Sequence, residues 1–391
     1  MPETTKRRQV PLSDRIDELR AWLEANRPQR LPVEFEERFP VMRAWQRRLH
    51  EAGWLGYGWP AEYGGAGGTV LDRITFNREL VRAGAPQPVA LIGLEVVGPT
   101  LLTHATDEQR RRFIPPMLSA DEIWCQGFSE PDAGSDLASL KTRAERVKGG
   151  FEVTGRKTWT SFAQFARWCA VLARTDADAP RHKGISYLML DMKNPGVEVF
   201  PLRQMTGDSE FNEVVFDHVF VPEENVIGPL NGGWMMALDT LAHERGPYAV
   251  RRQVEISVAF DEIVENIRQL VAASVLLDDA VLRERVGRTW AMVRVLEERS
   301  AETVRGLLER APGPEASMSK LYLSEVEQAV FALGFDVLGP NRGTAEEQVP
   351  GMDSDRWTRE YLYSRASSIY GGAAEIQRGI VAQRVLGLPR S

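Results

Sequence analysis

The chain has 391 residues, of which 43% are hydrophobic and 26% charged, and its formal net charge is -7. Single cores stop growing near roughly 250–300 residues, so we expect more than one packed unit. The acidic balance argues against nucleic acid as the main partner, because such binding favours a clustered basic face. No apolar run approaches the roughly 18 residues that a membrane span needs, so we expect a cytoplasmic protein with no membrane partner.

Cysteine and histidine usage excludes two further classes of protein. The only cysteines, Cys125 and Cys169, have no Cys-x-x-Cys partner and cannot build a disulfide framework. The five histidines show no metal-ligand spacing, so we predict no metal site. A reducing compartment such as the cytoplasm is consistent with both observations.

The first third of the chain has the periodicity of amphipathic helices. One apolar stripe contains Leu19 and Leu23, with Ser13 as a candidate N-cap. Helical patterns resume over residues 72–82, 89–103 and 108–118. The glycine cluster at 64–68 lacks the Gly-Lys-Ser/Thr ending of a phosphate loop, so we predict a turn there.

The middle of the chain changes to short β-rich runs. They occupy residues 143–147, 151–154, 169–174, 185–191, 197–200 and 213–221. Gly149-Gly150 between the first two is a hairpin signal. Runs of this kind without helical periods between them predict an antiparallel sheet or barrel.

Long helical patterns return beyond Asn231, for example through Ile256, Phe260 and Ile263. The order of patterns predicts an α+β protein with a helical N-terminal domain, an antiparallel β domain and a C-terminal α-helical bundle. We place these domains at residues 1–121, 122–230 and 231–391.

Three segments carry the residues from which we infer chemistry. Residues 130–136 form a Gly-containing turn whose backbone N–H groups are free for a ligand, although a plain surface loop is an equal alternative. Trp159-Thr160-Ser161 ends a strand, where a tryptophan is usually part of a core. The third segment, 369–378, reads Ile-Tyr-Gly-Gly-Ala-Ala-Glu-Ile-Gln-Arg.

In order, spacing and residue type, these segments resemble the acyl-CoA dehydrogenase family over nearly the whole chain. Further matches lie at residues 59–65, 211–214 and 384–390. The resemblance implies the family's three-domain fold, bound FAD and an acyl-CoA substrate. It also implies an electron-transferring flavoprotein as the acceptor and a homodimer or homotetramer.

The resemblance also assigns individual residues to the cofactor and the substrate. Those expected to line or cover the flavin ring are Gln126, Phe128, Ser129, Trp159 and Ser161. Those expected near the adenosine diphosphate part of FAD are Ala373 and Glu375, with Arg268 as the nearest substitute for a missing Arg-x-x-Phe-Gly segment. Those expected to contact the substrate are Ser135, which can also reach the flavin, Tyr370 and Arg245.

The catalytic base has to lie outside its usual position. Removing a thioester α-proton requires a carboxylate base and hydrogen bonds to the developing enolate oxygen. Many family members carry a glutamate where this chain has Gly371, which keeps the backbone N–H donor but loses the base. Some members place the base just before an arginine in a helix, and Glu244-Arg245 matches that pattern. The alternative for Glu244 is a solvated glutamate paired with Arg251 or Arg252.

The space left by Gly371 favours a branched or bulky acyl group, such as a steroid-like or polyketide-like chain. Two other functions stay open. The family's Arg-x-x-Phe-Gly segment is missing from this chain. The family's Gln- and Gly-rich segment is replaced by Asp336-Val337-Leu338-Gly339-Pro340. Both departures suit a catalytically silent subunit of a hetero-oligomer. A related flavoenzyme acting as an oxidase, or on a carrier-bound acyl group, is the other alternative.

Overall fold

The computed structural model describes residues 11–243, 247–276, 279–309, 313–339 and 353–389. The chain divides into two compact units, Met1–Glu244 and Arg245–Ser391. The first contains helices and a β-sheet, and the described part of the second contains helices. The α+β class and the order of helices, sheet and helices predicted from the sequence are therefore confirmed.

The helices of the first unit begin at clear sequence signals. Thr69 and Asp72 form a reciprocal capping box, as do Thr106 and Gln109. Each box satisfies backbone N–H groups that a helix start would otherwise leave unbonded. The described helices here are α1 (Ile16–Asn26), α2 (Phe35–Glu51), α3 (Val70–Arg82), α4 (Gly98–His104), α5 (Asp107–Leu118) and α6 (Gly233–His243).

The helix predicted over residues 89–103 is not a single α-helix in the structure. Residues 89–103 were expected to form a single helix, but the structure has a π-helix at Ile92–Val97 followed by α4. A π-turn changes which side chains face inward, and such turns are frequent at functional sites. Glu95 in this π-helix is buried, and it forms an ion pair with Arg73 across 3.0 Å.

The described strands are β1 (Trp124–Gly127), β2 (Arg143–Val147), β3 (Gly150–Lys157), β4 (Trp168–Arg174), β5 (Ile185–Asp191), β6 (Val197–Leu202), β7 (Phe211–Pro222) and β8 (Val226–Ile227). These eight strands form one sheet in the order β6-β7-β3-β2-β4-β5-β8, with β1 paired to β4. The expectation of an antiparallel sheet is wrong at two pairs, because β1–β4 and β2–β4 are parallel. Local sequence patterns do not show which distant strand becomes a neighbour.

The predicted hairpin lies between β2 and β3. Val147 pairs with Gly150, and Gly149 takes a φ of 83°, which a side chain disfavours. One apolar core joins the helices of this unit to the sheet, for example through Leu118, Trp124 and Tyr187. The predicted boundary between residues 121 and 122 falls inside this shared core and stays a prediction.

The second unit is built on helices around its own core. Ile256, Phe260 and Ile263 from one predicted stripe are buried there, and Trp357 packs with them. The predicted surface loop over residues 341–355 lies largely outside the described residues. The helices are α7 (Pro247–Ala272), α8 (Ala280–Glu309), α9 (Ala316–Val337), α10 (Ser354–Ser364) and α11 (Ala374–Ile380).

Two searches across the described residues complete the description. None of the described helices combines the length and apolarity needed to cross a membrane. Within the same residues, no three His, Cys, Asp or Glu side chains come together as a metal site. Both cysteines are free thiols buried in the sheet.

Candidate functional site

The loop after β1 is held by a buried ion pair. Glu130 accepts hydrogen bonds from the backbone N–H groups of Lys141 at 2.7 Å and Thr142 at 2.8 Å. Its carboxylate also lies 2.9 Å from the ammonium of Lys157, which is fully buried. Lys157 donates a further hydrogen bond of 3.0 Å to the carbonyl of Phe128. Five groups thus fix the shape of this short loop.

The two charges of this pair respond differently to their surroundings. Burial opposes ionisation of Glu130, but the charge of Lys157 and the hydrogen bonds outweigh it and hold the pKa of the carboxyl below its usual value. Burial lowers the pKa of Lys157, against the opposing effect of Glu130. Sequence reasoning missed this pair, since a lysine near the end of a strand is normally taken to point into solvent.

A second loop follows β3 and is joined to the first. Thr158 N–H donates to the Ser129 carbonyl at 2.9 Å. Thr160 and Asn212 exchange backbone hydrogen bonds of 3.0 and 3.1 Å, and the Asn212 amide also donates to the Thr160 carbonyl at 3.0 Å. Between these fixed points, Trp159 takes a φ of 57°, an uncommon conformation for a residue other than glycine.

That conformation turns the Trp159 indole outward. It is 62% exposed, and its ring centre lies 5.9 Å from that of Phe211 in an edge-on arrangement. In the part of the chain that the structure describes, neither the hydroxyl nor the N–H of Ser129 has a hydrogen-bond partner. An exposed aromatic plate beside free donors suits a flat ring that carries carbonyls and ring nitrogens. These loops therefore fit the flavin that the resemblance implies.

The other residues expected at the flavin ring differ in how far they are available. Gln126 and Ser161 are half-buried. The Phe128 side chain is buried against Tyr187, with ring centres 5.8 Å apart, so it does not face a ligand. Ser135 is exposed on the outer part of the first loop.

In the second unit, the predicted oxyanion donor lies in a glycine turn. Gly371 and Gly372 have φ values of 62° and 97°, both in the left-handed region. The Gln377 side-chain amide donates to their carbonyls at 3.2 and 3.3 Å, respectively. A residue with a side chain at Gly371 would be strained there, which gives a physical reason for the glycine.

The residues expected around the adenosine end of FAD flank this turn or lie on α7. Ala373 directly precedes α11, whose second residue, Glu375, has a side chain that is 81% exposed. Arg268 is 72% exposed and lies 3.6 Å from Glu265. Tyr370 is half-buried, with its ring 5.1 Å from the ammonium of Lys320.

The predicted base and its neighbour, Glu244 and Arg245, lie outside the described residues. On the preceding helix α6, Ala237 and Thr240 are buried. Thr240 bonds to Thr100, with their hydroxyl oxygens 2.9 Å apart. Helix α6 is described as far as His243, and α7 is described from Pro247 onward.

Comparisons with known proteins agree over all parts of the chain. Residues 15–121, 125–219 and 231–386 match family models described as acyl-CoA dehydrogenase N-terminal, middle and C-terminal domains. The acyl-CoA dehydrogenase IpdE1 of Mycobacterium tuberculosis is 42% identical over 359 residues, which are 92% of this chain and 91% of that protein.

Two solved structures, each 30% identical, also match closely. A structure named Tcur3481-Tcur3483 steroid ACAD covers 97% of this chain and 98% of its own, with a TM-score of 0.84. The ChsE4-ChsE5 complex from Mycobacterium tuberculosis covers 100% and 99%, with a TM-score of 0.81. The chain therefore belongs to the acyl-CoA dehydrogenase family of flavoproteins, which are oxidoreductases that act on CH–CH groups.

Proposed function

We propose that this chain dehydrogenates the Cα–Cβ bond of an acyl-CoA thioester with a bulky, steroid-like acyl group, using FAD. The observation that carries the proposal is Gly371, whose left-handed backbone disfavours the side chain that many family members use as the base. The space near the substrate Cα that this glycine leaves suits a large acyl group. A relative of known structure is named a steroid ACAD, which supports the same substrate class.

Proton removal is the step for which this chain needs a carboxylate. We assign it to Glu244, because it precedes an arginine as the base does in part of the family. Thr240 and Ala237, about one and two turns earlier in the chain, are both buried in α6. A general base at such a position contributes about 10²–10⁴-fold to the rate.

The negative charge that develops on the thioester oxygen needs hydrogen-bond donors. The Gly371 N–H supplies one, and the Gln377 amide holds the carbonyls of the same turn in place. A donor fixed before the reaction stabilises that oxygen without reorganising. Bound FAD would supply the acceptor for the hydride from Cβ. The loops that contain Ser129 and Trp159 would hold the FAD.

The same relatives bear on assembly. One structure similar to this chain is named as the ChsE4-ChsE5 complex, and the name of another joins two proteins, Tcur3481 and Tcur3483. Both names favour a hetero-oligomer for this protein as well. The homodimer or homotetramer expected from the sequence stays a prediction. Light scattering of the protein purified alone, and again with its co-purifying partner, distinguishes these assemblies.

Substrate class is tested by anaerobic titration of the FAD-loaded protein with straight-chain, branched and bicyclic acyl-CoAs. We expect loss of the flavin absorbance band, with the highest kcat/KM for the bicyclic thioester. A clear preference for straight chains would contradict the steroid-like assignment. If no acyl-CoA reduces the flavin in the intact assembly, the dehydrogenase function itself is wrong for this chain.

A further inference from the structure

A cluster of polar side chains, of which Asn77 and Glu95 are buried, lies within the helices of the first unit. Glu95 on the π-helix forms the ion pair with Arg73 of α3, and Asn77, one turn further along α3, donates to it at 3.4 Å. Nearby, Asp239 of α6 lies 3.0 Å from the ring of His104 and 3.6 Å from that of His243. The mechanism proposed above uses none of these side chains.

Several polar atoms of the cluster have no hydrogen-bond partner among the described residues. Glu95 is only 6% exposed, yet among the described residues its Oε2 accepts no well-directed hydrogen bond, although it is the atom paired with Arg73. Arg73 Nε and His243 Nε2 are likewise buried without a hydrogen bond there. A polar atom left unsatisfied in a protein interior costs roughly 1–3 kcal/mol, so a bound group is expected to supply the missing bonds.

Space for such a group is present. A cavity of about 20 Å³ is lined by Arg73, Asn77 and Glu95, with apolar walls from Trp59 and Phe76. A volume of roughly 10–15 Å³ on this measure holds one water. The cavity therefore accommodates one oxygen-sized group, such as a water or a hydroxyl.

The position of the cluster links it to the proposed site. The π-helix that carries Glu95 packs on α6, whose last residue, His243, immediately precedes Glu244 in the sequence. One turn earlier, the hydroxyl of Thr240 lies 3.4 Å from that of Tyr187, which packs on Phe128 of the flavin loop. A continuous row of contacts thus leads from the flavin loop to the end of α6 and the polar cluster.

We propose that Arg73, Asn77 and Glu95 form an oxygen subsite that binds a hydroxyl on the acyl group, remote from the thioester. Arg73 and the Asn77 amide supply donors, and Glu95 supplies an acceptor. The charges of Arg73 and Glu95 cancel, and Asp239 adds a negative charge, so a second carboxylate is disfavoured and a neutral oxygen fits. This subsite rests on the proposed function, since it assumes an acyl-CoA substrate.

The test compares two bicyclic acyl-CoAs that differ only in one remote ring hydroxyl. We expect kcat/KM in the wild-type assembly to favour the hydroxylated thioester by more than about 100-fold, because unpaired polar groups penalise the analogue without it. Glu95→Gln should reduce this preference at least about tenfold, a loss of about 1.4 kcal/mol of discrimination. FAD content should not change.

Glu79→Gln is the matched control, since Glu79 is equally buried on α3 and paired with Arg20 at 2.7 Å, but it does not line the cavity. It should keep the wild-type preference. An equal loss in both variants, an unchanged preference in Glu95→Gln, or a wild-type ratio near one would each overturn the subsite. The last result needs no variant and would mean that the cavity holds a water only. Flavin reduction by either thioester would leave the dehydrogenase function standing.

Discussion

Lys157 in the first unit and Arg252 in the second are buried cations with different sets of partners. Among the described residues, Lys157 has one carboxylate partner, Glu130, whose pKa is held below its usual value. In the second, Arg252 has three, because Glu327, Glu255 and Glu360 all lie within 3.1 Å. Burial raises the pKa of Glu327, with Arg252 acting against it and the other two carboxylates acting with it.

The difference shows what each pair contributes. The balanced pair of the first unit fixes the loop that hydrogen-bonds to the segment of the exposed Trp159, which we propose holds the flavin ring. The pair in the second unit has more acid than base, and it joins α7, α9 and α10. Removing one partner should therefore matter much more in the first unit than in the second.

Glu130→Gln tests this most strongly. Lys157 would remain buried without a counter-charge, so we expect a loss of about 3–5 kcal/mol in the free energy of unfolding. Glu327→Gln leaves Arg252 with two carboxylates, and we expect a loss of only about 1–2 kcal/mol. Urea unfolding measures both, with exposed Glu145→Gln as a control. Equal losses from the two buried variants would remove the distinction.

Glu210 extends the comparison to a carboxyl with no ion pair in the described structure. Burial, with the nearby Asp208 charge, raises the pKa of Glu210 to about 7. An unfolded glutamate ionises near about pH 4.3, so the folded state holds the extra proton between these values. Its stability therefore falls as pH rises through this window.

Glu210→Gln should abolish that pH dependence. The difference in unfolding free energy between the variant and wild type should shift in favour of the variant between pH 4 and pH 8. The expected shift is up to about 3 kcal/mol. Urea unfolding at the two pH values measures the gain, and exposed Glu198→Gln provides the control. The same difference from wild type at both pH values would show that Glu210 is ionised normally.

Gly371→Ala tests the backbone conformation in the second unit. A φ of 62° with a β-carbon costs roughly 1–2 kcal/mol, so we expect a modest fall in unfolding free energy. The methyl group should also reduce kcat/KM for a bicyclic acyl-CoA more than for a straight-chain one. Thermal unfolding and the two steady-state assays measure these effects. A larger loss with the straight chain would mean that Gly371 does not provide acyl space.

The sequence predicts the architecture well where the patterns are local. The strands Arg143–Val147 and Ile185–Asp191 lie where β-rich runs were expected, and the helices of the second unit follow their apolar stripes. The parallel pairing of β1 with β4 and the π-helix at Ile92–Val97 were missed. Both depend on contacts between residues far apart in the chain, which no local periodicity contains.

For the candidate site as well, the sequence predicts the residues that belong to local motifs but not those that depend on distant contacts. Trp159 and Gly371 were identified from their motifs, and their backbone angles supply the physical reason for each. The side chains that hold the site were not identified. Lys157 and Arg73 belong to a strand and a helix whose patterns give no sign that a charge is buried. Only the folded chain brings their carboxylates within 3.0 Å.

The central claim is that Glu244 removes the α-proton, and its most direct test is single-turnover flavin reduction under anaerobic conditions. Glu244→Gln should bind FAD and the bicyclic acyl-CoA as wild type does, but reduce its flavin about 10²–10⁴-fold more slowly. The exposed Glu284→Gln should react at the wild-type rate. Flavin reduction at the wild-type rate in FAD-loaded Glu244→Gln would contradict the account.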